Sequence, residues 1–123
     1  MIYIGIGSNL TSSFGNRFKN IELAISFLQE KKIKLIKKSS FYETFSYPNK
    51  KDPKFINIVI SVESSLSPND LMSTLIVIEE KLERKRKKKN DPRTCDLDII
   101  DYKRKVMNFK FSNLELTLPH KEL

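Results

Sequence analysis

The stretch Phe55–Glu63 constrains the fold more than any other part of this 123-residue chain. Its apolar residues recur at every second position, at Ile56, Ile58, Ile60 and Val62. Because successive side chains of a strand point to opposite faces, this alternation predicts a β-strand with one buried face. Other elements of the chain must then cover that face to form a core.

A helical pattern precedes this strand. Its apolar residues recur at spacings of three and four, at Phe14, Phe18, Ile21, Ile25 and Leu28. This spacing predicts an amphipathic helix of about four turns, with its aromatic residues in the core.

A second helix is predicted directly after the strand. Ser67 is a suitable N-cap, Pro68 suits the first helical position, and Asp70 lies in the first turn. The expected buried stripe consists of Leu71, Leu75, Ile78 and Leu82.

Three further strands are predicted at Ile2–Gly7, Ile33–Thr44 and Asp96–Tyr102, with a short hairpin from Lys103 onward. The order is therefore strand, helix, strand, strand, helix, strand. This order predicts an α+β, ferredoxin-like βαββαβ domain, an antiparallel sheet with both helices on one face. Right-handed crossovers would place the first and third strands in the middle of the sheet. We expect residues 1–123 to form one domain.

Composition excludes several classes of protein. Hydrophobic residues make up 39% and charged residues 31% of the chain, which is typical of a globular protein. No apolar run approaches the roughly 20 residues of a membrane helix. The N-terminus lacks the basic region of a signal peptide, so we expect a cytoplasmic protein. The single Cys95 excludes an intramolecular disulfide and, without partner ligands, a zinc site.

The net charge of +8 is concentrated around the unbroken basic run Arg84–Lys89. Such a run predicts a polyanionic partner, either nucleic acid or a polyphosphate such as ATP. A solvated, Lys-rich helix end would explain the same charge. The loop Phe45–Pro53, of about nine residues, is longer than most connections and is therefore a candidate functional segment.

Asp96 and Asp98 would project from the same face of a strand, with Cα atoms roughly 6.5 Å apart. Two neighbouring carboxylates in an electropositive region suit Mg²⁺, which leaves its other positions to water and phosphates. An Asp-x-Asp pair is also common on solvated edge strands. Arg84, Arg86 and Arg93 could supply bidentate contacts to phosphates.

The string Pro-Arg-Thr-Cys-Asp-Leu-Asp-Ile, residues 92–99, resembles the signature of 6-hydroxymethyl-7,8-dihydropterin pyrophosphokinases. Four other stretches resemble that family in the same order along the chain. They are residues 3–10, with Gly-Ser-Asn at the strand end, and residues 40–44, 55–57 and 116–120.

The resemblance implies transfer of pyrophosphate from ATP to the hydroxymethyl group of the dihydropterin. The hydroxyl oxygen would attack the β-phosphorus, and AMP would leave. Asp96 and Asp98 would bind two Mg²⁺ ions, and Asp96 would activate the hydroxyl. The implied partners are ATP and hydroxymethyldihydropterin, with no nucleic acid and no membrane, and we expect a monomer.

Residue roles also follow from the resemblance. The catalytic residues would be Arg84, Arg93, Asp96 and Asp98. The nucleotide would contact Arg84, Arg86, Arg93, Ile99, Thr117 and His120. The pterin would contact Thr44, Phe55, Asn57 and Asp96. Glu79 matches an acidic position of the family near the arginines, although such a residue would also suit a helix-surface salt bridge.

The family continues beyond the point where this chain ends. Its C-terminal segment, which carries an Arg and a second pterin-stacking aromatic, is expected to be absent here. One alternative is therefore a weakly active or inactive homologue that still binds ATP. A basic RNA-binding domain of the same fold is another alternative. The aromatic signature of RNA-recognition domains is absent from the third strand, Lys54–Glu63.

Overall fold

A computed structural model describes residues 1–46, 51–85, 92–111 and 114–119. Within these ranges the chain forms seven strands and two helices. Their order is β1 (Ile2–Ser8), α1 (Arg17–Glu30), β2 (Lys34–Lys38), β3 (Tyr42–Thr44), β4 (Phe55–Glu63), α2 (Pro68–Lys81), β5 (Asp96–Tyr102), β6 (Met107–Phe111) and β7 (Leu114–Leu118). No helix in these described ranges is long and apolar enough to cross a membrane.

The main sheet has the strand order β2-β4-β1-β5, and β3 also pairs with β4. All of these pairings are antiparallel. The predicted ferredoxin-like fold is therefore confirmed, with the first and third of the predicted strands (β1 and β4) in the middle. The predicted hairpin after Lys103 is confirmed as well, since β6 and β7 pair in a separate two-stranded sheet.

One hydrophobic core fills the space between the sheet and the helices. The predicted inner residues of β4 are at most 5% exposed, and the predicted stripe of α2 is completely buried. Both sets belong to the same cluster, together with Ile2, Ile4 and Ile6 of β1 and Ile21, Ala24 and Leu28 of α1. The alternation of β4 and the spacing of α2 therefore identified their buried faces correctly.

The N-cap of α2 is also as predicted, because the Ser67 hydroxyl accepts a hydrogen bond from the Asp70 amide. The helix ends in a Schellman turn. The Glu83 and Arg84 amides donate back to the carbonyls of Glu80 and Glu79. Glu83 occupies the left-handed position of this turn with φ 68°. The turn folds Arg84 back toward the helix.

The prediction of one strand over Ile33–Thr44 was wrong, because the segment forms two strands, β2 and β3. Lys38 pairs with Ile60 and Tyr42 pairs with Asn57, so this segment has one more residue than β4 between the two pairs. The Ser39 hydroxyl accepts a hydrogen bond from the Val59 amide at this break. An extra residue of this kind is a β-bulge, which interrupts the ladder and bends the strand.

The aromatic residues assigned to the core of α1 are not in it. Phe14 is 49% exposed and precedes the helix, whose N-cap is Asn16, and Phe18 is 40% exposed. Phe18 instead packs edge-to-face on Phe41, with 5.1 Å between ring centres. The buried face of α1 is therefore narrower than its apolar pattern predicts. It consists of Asn20, Ile21, Ala24 and Leu28.

Candidate active site

The open face of the sheet carries a trough whose floor is formed by two glycines of β1. Gly7 pairs with Asp96 on one side and Asn57 on the other, and Gly5 pairs with Asp98 and Val59. Because glycine has no side chain, the carboxylates of β5 and the amide of β4 face each other across β1. The trough forms a cleft of about 100 Å³, also lined by Tyr42.

Gly7 is required by the close approach of its neighbours. A β-carbon at this position would lie 2.9 Å from Asn57 Oδ1 and 3.3 Å from Phe55 Cδ1. A larger residue would therefore displace the Asn57 amide from the trough.

Asp96 and Asp98 both line the cleft, as their spacing predicts. Their electrostatic surroundings differ. Asp96 Oδ1 accepts a hydrogen bond of 3.1 Å from Arg84 Nη1, and Asp96 Oδ2 lies 3.9 Å from Arg93 Nε. Burial, then repulsion by Asp96 and by Glu79, raises the pKa of Asp98 from 3.8 to about 7. Burial and the neighbouring carboxylates therefore disfavour the ionised form of Asp98.

Glu79 holds the arginine beside this pair. It is 1% exposed, so it is not the helix-surface residue that its charge suggests. Its carboxylate forms an ion pair with Arg84 and accepts a hydrogen bond of 2.8 Å from the Leu97 amide of β5. The Schellman turn of α2 brings Arg84 over Glu79, which lies one helical turn after the buried Leu75. That helical position was the sequence signal for its burial.

The predicted pterin residues lie at the other side of the trough. Asn57 Nδ2 donates a hydrogen bond of 2.8 Å to Thr44 Oγ1, so the structure brings these two residues together. Phe55 is only 9% exposed, and the Arg93 guanidinium carbon lies 5.0 Å from its ring centre. Among the described residues, Tyr42, which is 45% exposed, is the aromatic residue that lines the cleft. It was not predicted, although it belongs to the segment 40–44 that resembles the family.

Of the other predicted nucleotide residues, the structure describes the side chain of Ile99 alone. The Ile99 side chain is buried in the core and belongs to the opposite face from Asp96 and Asp98. Thr117 lies in β7 and pairs with Asn108, but the structure describes only its backbone. Arg86 and His120 lie outside the described residues. Their roles stay predictions.

Two polar atoms of the residues just before β5 are buried and have no hydrogen-bond partner among the described residues, namely Arg93 Nε and Thr94 Oγ1. Buried donors of this kind are rare unless a ligand or water satisfies them. In the same described ranges, no group of three or more His, Cys, Asp or Glu side chains is arranged to bind a metal ion. Among the described side chains, the aspartate pair is therefore the candidate ligand set for an ion at this cleft.

The sequence of this chain is similar to a known protein family and to several known proteins. A sequence model of the 7,8-dihydro-6-hydroxymethylpterin-pyrophosphokinase family matches residues 3–123. The chain is 32% identical to the 2-amino-4-hydroxy-6-hydroxymethyldihydropteridine pyrophosphokinase of Aquifex aeolicus, over 97% of this chain and 69% of that protein. It is 40% identical to the folic acid synthesis protein fol1 of Pneumocystis carinii, over 97% of this chain. It is 36% identical to the bifunctional protein FolKE of Lactococcus lactis strain IL1403, over 98% of this chain. The matched chain spans only 15% and 32% of the latter two relatives.

Proposed function

Because the chain belongs to the 7,8-dihydro-6-hydroxymethylpterin-pyrophosphokinase family, we propose that it transfers pyrophosphate from ATP to 6-hydroxymethyl-7,8-dihydropterin. One observation carries the proposal. Two aspartates, one of them flanked by two arginines, face an asparagine across a glycine trough, and this asparagine is hydrogen-bonded to a threonine. The charged side suits a polyphosphate, and the amide and hydroxyl side suits the polar edge of a pterin.

In the proposed reaction, the substrate hydroxyl oxygen forms a bond to the β-phosphorus of ATP. The bond from that phosphorus to the α,β-bridging oxygen breaks, and AMP leaves with this oxygen. Phosphoryl-type transfer depends chiefly on positioning and on cations that compensate charge on the phosphate oxygens. Asp96 lies between Arg84 and Arg93, within 3.1 Å and 3.9 Å of their nitrogen atoms. We assign it the role of orienting the hydroxyl and accepting its proton as the new bond forms.

We propose that Arg84 and Arg93 bind phosphate groups of ATP. Arg93 Nε is buried and lacks an acceptor among the described residues, and a phosphate oxygen would satisfy it. Arg84 is fixed by Glu79, which leaves the rest of its guanidinium for a second phosphate contact. Rigid placement of this kind gives electrostatic stabilisation without reorganisation during the reaction.

The donor set fits Mg²⁺. Asp96 and Asp98 present two carboxylates to an open trough, and Mg²⁺ commonly binds one or two carboxylates plus water and substrate phosphates. A bound cation would offset the burial and the carboxylate repulsion that raise the pKa of Asp98. We propose that these two residues hold two ions, which when bound would neutralise phosphate charge and acidify the substrate hydroxyl.

For the pterin we propose contacts to Thr44, Asn57 and Tyr42. Asn57 has two donors and an acceptor, and one donor already bonds Thr44. Tyr42 offers an exposed ring for stacking. Phe55 can take the role implied by the family only if its ring is shared with the Arg93 guanidinium that lies over it.

We also propose that the partners are small molecules and not nucleic acid. The RNA-binding alternative requires aromatic residues across the open face of the sheet. The middle of that face carries Gly5 and Gly7, with Asp96 and Asp98 beside them. Without a bound metal ion, these carboxylates would repel a nucleic acid backbone. A monomer in the cytoplasm stays our expectation.

The direct test measures AMP release from Mg-ATP with and without 6-hydroxymethyl-7,8-dihydropterin. We expect AMP to form only with the pterin, in amounts equal to the pterin pyrophosphate. Asp96→Asn and Asp98→Asn should abolish this release and weaken Mg²⁺-dependent binding of α,β-methylene-ATP. Asp101→Asn is the matched control, because Asp101 lies on the same strand but outside the cleft. Equal AMP release without the pterin, or full activity in both cleft variants, would refute the proposal.

A further inference from the structure

Asn9 occupies the turn after β1 and is 3% exposed. It contacts the segment before β5 through two hydrogen bonds. The backbone amide of Asn9 donates to the Arg93 carbonyl at 3.0 Å. In return, Asn9 Oδ1 of the side chain accepts from the backbone amide of Arg93 at 2.6 Å. The backbone of Arg93 is thus held on both its polar groups by one residue.

The other end of the Asn9 side chain bonds a different segment. Asn9 Nδ2 donates to Ser46 Oγ and to the Pro53 carbonyl, both at 3.0 Å. Ser46 Oγ also donates to the same Pro53 carbonyl. Both donors and the acceptor of the Asn9 side-chain amide are therefore used. They join Asn9 to three residues that lie 37, 44 and 84 positions away in sequence.

These three positions adjoin opposite sides of the trough. Ser46 follows Thr44 by two residues, and Pro53 precedes Phe55 by two, so both are next to the proposed pterin contacts. Arg93 is a proposed phosphate contact. Its guanidinium carbon also lies 5.0 Å from the Phe55 ring centre.

We propose that Asn9 is a positioning residue that couples the pterin side of the site to the nucleotide side. This inference rests on the proposed function. Because Asn9 bonds both segments at once, a ligand that orders one segment also favours the bonded arrangement of the other. Such coupling is reciprocal, so each ligand should tighten the binding of the other by the same factor.

Two substitutions of Asn9 separate its bond to Arg93 from its bonds to Ser46 and Pro53. Asn9→Asp keeps an acceptor for the Arg93 amide but loses the donors to Ser46 and Pro53. Asn9→Ala loses all of the side-chain bonds. Ser67→Ala controls for a general loss of stability, because it removes the N-cap bond of α2 and touches neither segment.

The experiment is calorimetry with 6-hydroxymethylpterin, with and without saturating Mg²⁺ and α,β-methylene-ATP. The ratio of the two pterin dissociation constants is the coupling factor. We expect at least about fivefold for the unsubstituted chain and for Ser67→Ala, at the low end of typical couplings. Both Asn9 variants should bring the ratio to within about twofold of one, since the bond that links the segments is lost.

Amide hydrogen exchange without ligands gives a second readout. Protection of the Arg93 amide should fall in Asn9→Ala and be retained in Asn9→Asp, whereas the coupling factor should be lost in both. A merely structural role would lower stability without separating these two measurements.

Two outcomes overturn the inference alone, provided that the unsubstituted chain binds both ligands. One is a coupling factor near one in that chain, and the other is an unchanged factor in the two Asn9 variants. If the unsubstituted chain binds neither ligand, the proposed function itself fails and the coupling fails with it.

Discussion

Asp98→Asn is expected to stabilise the metal-free chain at alkaline pH. Burial and the neighbouring Asp96 and Glu79 raise the pKa of Asp98 from 3.8 to about 7. The Asp98 carboxyl therefore binds a proton more tightly in the folded state than in the unfolded state. The stability that this protonation contributes is fully present below about pH 4 and is lost as the pH rises through 7.

The size of the effect follows from the same pKa. A value of about 7 in place of 3.8 corresponds to at most about 4 kcal/mol once the carboxyl is ionised in both states. The Asp98 side chain is partly exposed, and water screens part of this cost. We therefore expect the Asp98→Asn substitution to add roughly 1–2 kcal/mol at pH 8 and close to nothing at pH 4.

The assay is urea denaturation in EDTA at pH 4, 6 and 8, with Asp101→Asn as the matched control. The free energy of unfolding of the unsubstituted chain should fall from pH 4 to pH 8 relative to the Asp98→Asn variant. Saturating Mg²⁺ should then restore stability to the unsubstituted chain only, because a ligand that binds the native state stabilises it. An Asp98→Asn chain that is equally or less stable at pH 8 would refute the electrostatic account of this pair.

Three further substitutions probe the surroundings of the site and the ends of the helices. Gly7→Ala should lower the free energy of unfolding by roughly 1–3 kcal/mol and weaken pterin binding, because the alanine β-carbon would lie 2.9 Å from Asn57 Oδ1. Thermal denaturation and pterin titration would check this, and an unchanged pterin affinity would argue against Asn57 as a contact. Glu79→Ala should cost roughly 3–5 kcal/mol in urea denaturation, since it removes one of the two carboxylates that bond the largely buried Arg84 and the acceptor of the buried Leu97 amide. A loss below about 1 kcal/mol would mean that Asp96 or water compensates for Glu79. Lys32→Gly should raise the free energy of unfolding by up to about 1 kcal/mol, because Lys32 has φ 61° and glycine adopts that conformation without steric cost. A lower free energy of unfolding in this variant would show that the Lys32 side chain makes a stabilising contact.

Local pattern was sufficient for much of the fold. The bounds of β4 and β5 coincide with the predicted strands, and α2 begins at the predicted cap. Strand alternation and capping depend on neighbours within a few residues, so the sequence alone expresses them. The same holds for the shared face of Asp96 and Asp98, which follows from the twofold period of any strand.

Features that depend on distant residues were decided only by the tertiary structure. The break between β2 and β3 arises where the Ser39 hydroxyl meets the Val59 amide. Glu79 is buried because β5 and the Schellman turn of α2 surround it. The raised pKa of Asp98 and the bonds of Asn9 to residues 37 and 84 positions away likewise require the folded chain. Burial and long-range hydrogen bonds depend on how the elements pack. The periodicity of the sequence does not specify which distant groups will be in contact, and it is these contacts that shift a pKa.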